Sequence, residues 1–199
     1  MSSESNGLEG KDIEYIKGVE AFGKGCYDDA ASMFGRALEG GKIEAALGMA
    51  HVCLEKGDTS GAVKYLEIIE RSAREGNGDA AYVAYTALNF DFRGVGGIGR
   101  ENSQLEFLKM AAASGNSYAQ LDLADFYRRG RVTGKVDSEN YETWIKLAME
   151  QGLDEAVCFY AENQIDAGFA PNPELLRKVK NVRSDLKKRA EKILRASKK

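Results

Sequence analysis

The chain has 199 residues with 28 Lys and Arg against 31 Asp and Glu, a net charge of −3, which suits one sizeable domain or several small units sharing a core. No apolar run reaches the roughly 20 residues that cross a membrane as a helix. One histidine, His51, and three cysteines far apart in sequence leave no Cys/His cluster for a metal, and no residue pair gives a reason to expect catalysis. No cofactor is expected.

Residues 1–10 form a polar, slightly acidic leader without the apolar core of a secretory peptide. With no export signal, Cys26, Cys53 and Cys158 are expected as reduced, buried thiols in the cytoplasm. Proline occurs only at Pro171 and Pro173, so the preceding stretch runs without a helix breaker. Apolar residues recur at steps of three and four, for example Ala81, Ala84, Tyr85, Leu88 and Phe92. These steps predict helix pairs at 11–24 with 27–39, 42–56 with 59–75, and 78–92 with 101–114. Two more pairs follow, 116–129 with 138–151 and 153–167 with 173–196. Asp28 and Asp29 are adjacent carboxylates, but they open a predicted helix, where acids favour the positive end of its dipole.

A repeat underlies these pairs. Gly41, Gly76, Gly115 and Gly152 each stand four residues before an alanine, and successive glycines are 35, 39 and 37 residues apart. Glycine at that place predicts a helix end in the left-handed region, which a side chain disfavours. The alanines, Ala45, Ala80, Ala119 and Ala156, are expected where helices approach closely.

Gly94, Gly96 and Gly99 spell G-x-G-x-x-G, the spacing of a dinucleotide-binding turn. That chemistry requires a strand entering the turn and a second strand ending in an acid. The preceding "AAYVAYTALNFDF" has helical steps, and the corresponding loop of the next repeat, "FYRRGRVTGKVDSENYETW", lacks the spacing. The glycines are therefore expected to form a turn between helices.

The first pair resembles a tetratricopeptide repeat through Gly18, Gly25, Tyr27, Ala30, Phe34 and Ala37. The later pairs resemble the Sel-like subfamily. Phe107, Leu108, Ala111, Ala112, Gly115, Ala119, Leu123, Tyr127 and Gly130 follow its pattern, with Ala124 in place of its second glycine. Trp144, Ile145, Ala148, Gly152 and Ala156 begin the next copy, so the likeness covers about residues 11–168. The resemblance implies an all-α, right-handed superhelix of about five antiparallel helix pairs, a solenoid over 11–172. It also implies an interaction scaffold with no catalytic residues.

In such repeats the first helix of each pair lines the concave surface. By alignment the groove positions are Tyr15, Val19 and Phe22 in the first pair, then Glu44, Leu47, His51 and Leu54. The third pair supplies Asp79, Tyr82, Thr86 and Asn89, and the fourth Tyr118, Asp125, Arg128 and Arg129. Glu155, Cys158 and Glu162 close the set. Tyr15, His51, Tyr82, Asn89, Tyr118, Asp125, Arg128 and Arg129 are the candidate partner contacts, with tyrosine and arginine as favoured interface anchors.

From Pro173 onward 11 Lys and Arg face 3 Asp and Glu, a net of +8, on a run whose Leu175, Val179, Val182, Leu186, Ala190 and Ile193 form an apolar stripe. Asn172 and Pro173 suit the start of that basic helix. It is expected to cap the last repeat. Docking on an acidic protein surface and contact with RNA are the alternatives. The expected function is that of an adaptor holding a partner protein or peptide, its oligomeric state left open.

Overall fold

The computed structural model describes residues 9–90, 92, 103–169, 171, 172 and 174. Among them the secondary structure is entirely helical: α1 (Gly10–Gly23), α2 (Tyr27–Glu39), α3 (Glu44–Glu55), α4 (Thr59–Arg74), α5 (Gly78–Phe90), α6 (Ser103–Ala113), α7 (Ser117–Arg128), α8 (Ser138–Glu150) and α9 (Asp154–Asp166). Each lies within a few residues of its predicted span. The G-x-G-x-x-G stretch at 94–99 and nearly all of the predicted basic helix from 173 onward lie outside the described residues.

One local device ends most of these helices. Gly41, Gly76, Gly115 and Gly152 all have φ between +81° and +99°, where any other residue would be strained. The amide after each glycine reaches back five residues, as in Lys42 N–H to the Ala37 carbonyl at 2.9 Å and Asn116 N–H to Ala111 at 3.1 Å. This is the Schellman closure, which satisfies carbonyls orphaned at a helix end and turns the chain sharply. The following helices are capped where the sequence permits. Asp58 Oδ1 accepts from Gly61 N–H at 2.8 Å, and Asn77 Oδ1 from Ala80 N–H at 3.0 Å. The alanines four residues past the glycines are all fully buried, as close helix contact requires.

The chain divides into two compact units, Met1–Asn116 and Ser117–Lys199. In the first, sequential helices pack as pairs, α1 with α2, α3 with α4 and α5 with α6. The first helices of successive pairs also touch, α1 with α3 and α3 with α5, so they form a common layer. Phe34 of α2 is the wedge of this packing. It is 2% exposed, and its ring is pressed between the backbones of Gly18 on α1 and Gly48 on α3. A Cβ at either glycine would stand 2.7 Å from ring carbons. Tyr15 packs on the same ring at 5.9 Å.

In the second unit α7 packs on α8 and α8 on α9. Its core comprises Ala124, Tyr141, Ile145, Ala148, Leu153 and Ala156, with Trp144 and Phe159 packed around it. Two of the polar groups buried here find partners, whereas the buried Gln164 Oε1 has no hydrogen-bond partner among the described residues. Gln120, 4% exposed, accepts from Gln151 Nε2 at 2.7 Å, and the Tyr141 hydroxyl accepts from Asn163 Nδ2 at 3.2 Å. Sequential packing of helical hairpins is thus common to both units, the arrangement of a helical solenoid.

The thiols depart from expectation. Cys26 is exposed, and Cys53 and Cys158 are only half-buried, although none is in a disulfide. Cys26 occupies the cap position ahead of α2, in an exposed turn, so the preference of cysteine for cores does not decide its place.

Candidate functional site

Each unit carries a concavity on its first helices. In the first unit, a cavity of about 220 Å³ is lined by Tyr15, Val19 and Phe22 of α1 and by Glu44, Leu47 and His51 of α3. These are groove positions predicted from the repeat. Helical steps of three and four bring them together, since residues so spaced share one face. Phe34 and Gly48 complete the lining, and sequence alignment did not single out either for the groove. Both were legible only as packing positions, because the wedge that spaces α1 from α3 also lines the space between them.

The groups around this cavity are electrostatically matched. Lys42 Nζ bridges Asp12 at 3.0 Å and Glu44 at 3.2 Å and lies 5.8 Å from the centre of the Tyr15 ring. Burial works against the Lys42 charge, but the two carboxylates outweigh it and raise its pKa. Burial, and then the Glu44 charge, push the Tyr15 hydroxyl above its ordinary value. His51 is packed between Phe22, at 6.1 Å, and Phe92, at 4.8 Å, both edge-on. Its Nδ1 lies 2.9 Å from the Leu47 carbonyl, which can only accept, so the proton resides on Nδ1. His51 is therefore part of the cavity wall, fixed in orientation by its own helix.

The third pair contributes differently. Tyr82 is half-buried and its ring sits 5.8 Å from that of the buried Tyr85. Asp79 accepts from Asn116 Nδ2 at 3.2 Å, and Thr86 donates to the Val83 carbonyl at 2.9 Å. The side chain of Asn89 lies outside the described residues.

The second unit holds a wider groove of about 630 Å³. Its lining includes Tyr118 from α7 and Glu155, Cys158 and Glu162 from α9, all predicted groove positions. Leu121, Phe159 and Asp154 also line it and were not anticipated. Tyr118 is 49% exposed, an accessible aromatic face. Asp125, Arg128 and Arg129 are brought together, but chiefly with one another. Arg128 reaches Asp125 Oδ1 at 2.6 Å, and Arg129 Nε reaches Oδ2 at 2.7 Å. Arg128 also stacks 5.2 Å from the centre of the Phe159 ring, joining α7 to α9.

Among the described residues, no group of three or more His, Cys, Asp and Glu is placed to hold a metal ion, and no helix is long and apolar enough to cross a membrane. No family model matches the sequence, and no curated protein matches it significantly.

Proposed function

We propose that this protein is a non-catalytic interaction scaffold of the tetratricopeptide type, with later repeats of the Sel-like kind, that holds a partner protein or peptide on its first-helix surfaces in the cytoplasm. The observation that carries the proposal is the convergence of Tyr15, Val19, Phe22, Glu44, Leu47 and His51 on one cavity, positions named by repeat register alone. Preformed concave surfaces with an apolar body and a few placed polar groups suit recognition without a chemical step. Tyr118 offers the second unit's aromatic anchor.

A photo-crosslinking side chain at Val19 or Tyr118, compared with one at Glu67 on α4, tests this in cell lysate. Adducts with discrete proteins from the first two sites and not from Glu67 support the scaffold. Equal labelling from all three overturns it. The run from 173 onward, net +8, favours a second reading in which it contacts RNA. Affinity for a single-stranded RNA probe that falls steeply with salt and is lost on deleting 173–199 would establish that reading instead. A cap would show itself as lost stability on the same deletion, with no effect on RNA.

A further inference from the structure

The cavity of the first unit is set apart by what lines it. Tyr15, Phe22, Phe34 and His51 put four rings on a space of about 220 Å³, with Val19 and Leu47 beside them. Gly48 adds no side chain, and a Cβ there would stand 2.7 Å from the Phe34 ring. Among the described residues the lining has one carboxylate, Glu44. Lys42 bridges that carboxylate and Asp12, and the same ammonium lies 5.8 Å from the centre of the Tyr15 ring. The charge beside the cavity is therefore already matched. A cation entering here would have to displace Lys42 from Glu44, and an anion would be desolvated beside Glu44. Either would lose its hydration without gaining a counter-charge.

Size narrows the occupant further. An apolar cavity of about 150 Å³ holds one benzene ring, so the space here admits one aromatic side chain and not two. Ring against ring adds to the gain from burial alone. Outside the cavity, Ile13, Ile16 and Val19 are large apolar residues exposed at steps of three on α1, which makes them neighbours on its surface. Val19 belongs to both surfaces. We propose, resting on the scaffold reading above, that this cavity is the anchor pocket for one uncharged aromatic side chain of a partner peptide. Phenylalanine fits it in size and chemistry, and an adjoining apolar residue of the same peptide lies on Ile16 and Ile13. The anchor supplies affinity, while the matched charges around Lys42 turn basic and acidic side chains away.

The test uses the full chain, isotope-labelled for amide chemical shifts, and the Nα-acetylated amides of phenylalanine, leucine, lysine and glutamate. The phenylalanine compound should bind saturably, with a dissociation constant on the order of 1 mM for a ligand of that size, and shift the amides of Val19, Phe22, Leu47 and Gly48. The leucine compound should bind about 2- to 10-fold more weakly, and the lysine and glutamate compounds should shift nothing there. Val19→Lys, at an exposed position, should weaken phenylalanine binding at least about 10-fold while the rest of the spectrum stays that of the folded chain. Val136→Lys, at an exposed valine of the second unit, should leave binding unchanged. Equal binding of the phenylalanine and lysine compounds, affinity untouched by Val19→Lys, equal loss in Val136→Lys, or no binding overturns the proposal. So does sedimentation showing self-association that Val19→Lys abolishes, because a second copy is then the occupant. If the capped amino acids fail while a crosslinker at Val19 still captures discrete proteins, the scaffold stands and only the aromatic anchor falls.

Discussion

Gly18→Ala is the sharpest test of the packing that shapes the first cavity. In an open helix interior, replacing glycine by alanine stabilises by about 0.5–1 kcal/mol, because glycine loses more freedom on folding. At Gly18 the new Cβ would stand 2.7 Å from two carbons of the Phe34 ring, about 1 Å inside ordinary contact. The ring has little room to retreat toward α3, where it already lies too close to the Gly48 backbone for a Cβ to fit. Overpacking of this kind costs about 1–3 kcal/mol, so the net expectation is a loss of about 0.5–2 kcal/mol. Gly35, next to Phe34 in the chain, has nothing within 4 Å of a built Cβ, so Gly35→Ala should instead stabilise. Urea unfolding followed by circular dichroism should move the midpoint down for the first and up for the second. In a Phe34→Leu background the cost of Gly18→Ala should largely vanish, because the two sites are in contact and couple. A raised midpoint for Gly18→Ala, or an equal cost with and without the ring, would refute the wedge.

Ala119 is fully buried, so Ala119→Leu should cost about 1–3 kcal/mol, seen as a lowered melting temperature. Burial pushes the Tyr141 hydroxyl from 10.0 up to about 12, with the Asn163 hydrogen bond pulling the other way. Between those values the folded state keeps a proton that the unfolded chain has lost, so stability should fall as pH rises through that window. Tyr141→Phe should flatten the decline in unfolding experiments across the same range. NAD and ATP should show no affinity that Gly96→Ala abolishes, as titration calorimetry can establish.

The helices and the groove register were legible because both follow from short-range physics. A left-handed residue ending a helix requires glycine, a tight crossing one turn later requires alanine, and a period of about 37 residues carries every other position with it. Thus Gly115 and Ala119 locate α7, and Tyr118 follows. The thiols were not legible. Cysteine favours cores on average, but the place of Cys26 depends on which helix passes over the turn ahead of α2, a tertiary matter. Asp154 was missed for a smaller reason: the register placed Glu155 in the groove, and only the start of α9 shows that its first turn presents both.

The arginines show where residue type and role part company. Arg128 and Arg129 stand three and four residues after Asp125, so helix geometry alone lets one carboxylate engage both. As anchors for a partner they would have to leave Asp125, and Arg128 would also have to leave Phe159. Held as they are, they fix the aromatic wall of the second groove, whose lining also includes the carboxylates of Asp154, Glu155 and Glu162. In the first groove the one carboxylate of the described lining, Glu44, is paired with Lys42, and the remaining lining is largely apolar. One repeat pattern has therefore produced two surfaces of different chemistry. In the proposed scaffold, such a difference would let each surface discriminate among partners by charge.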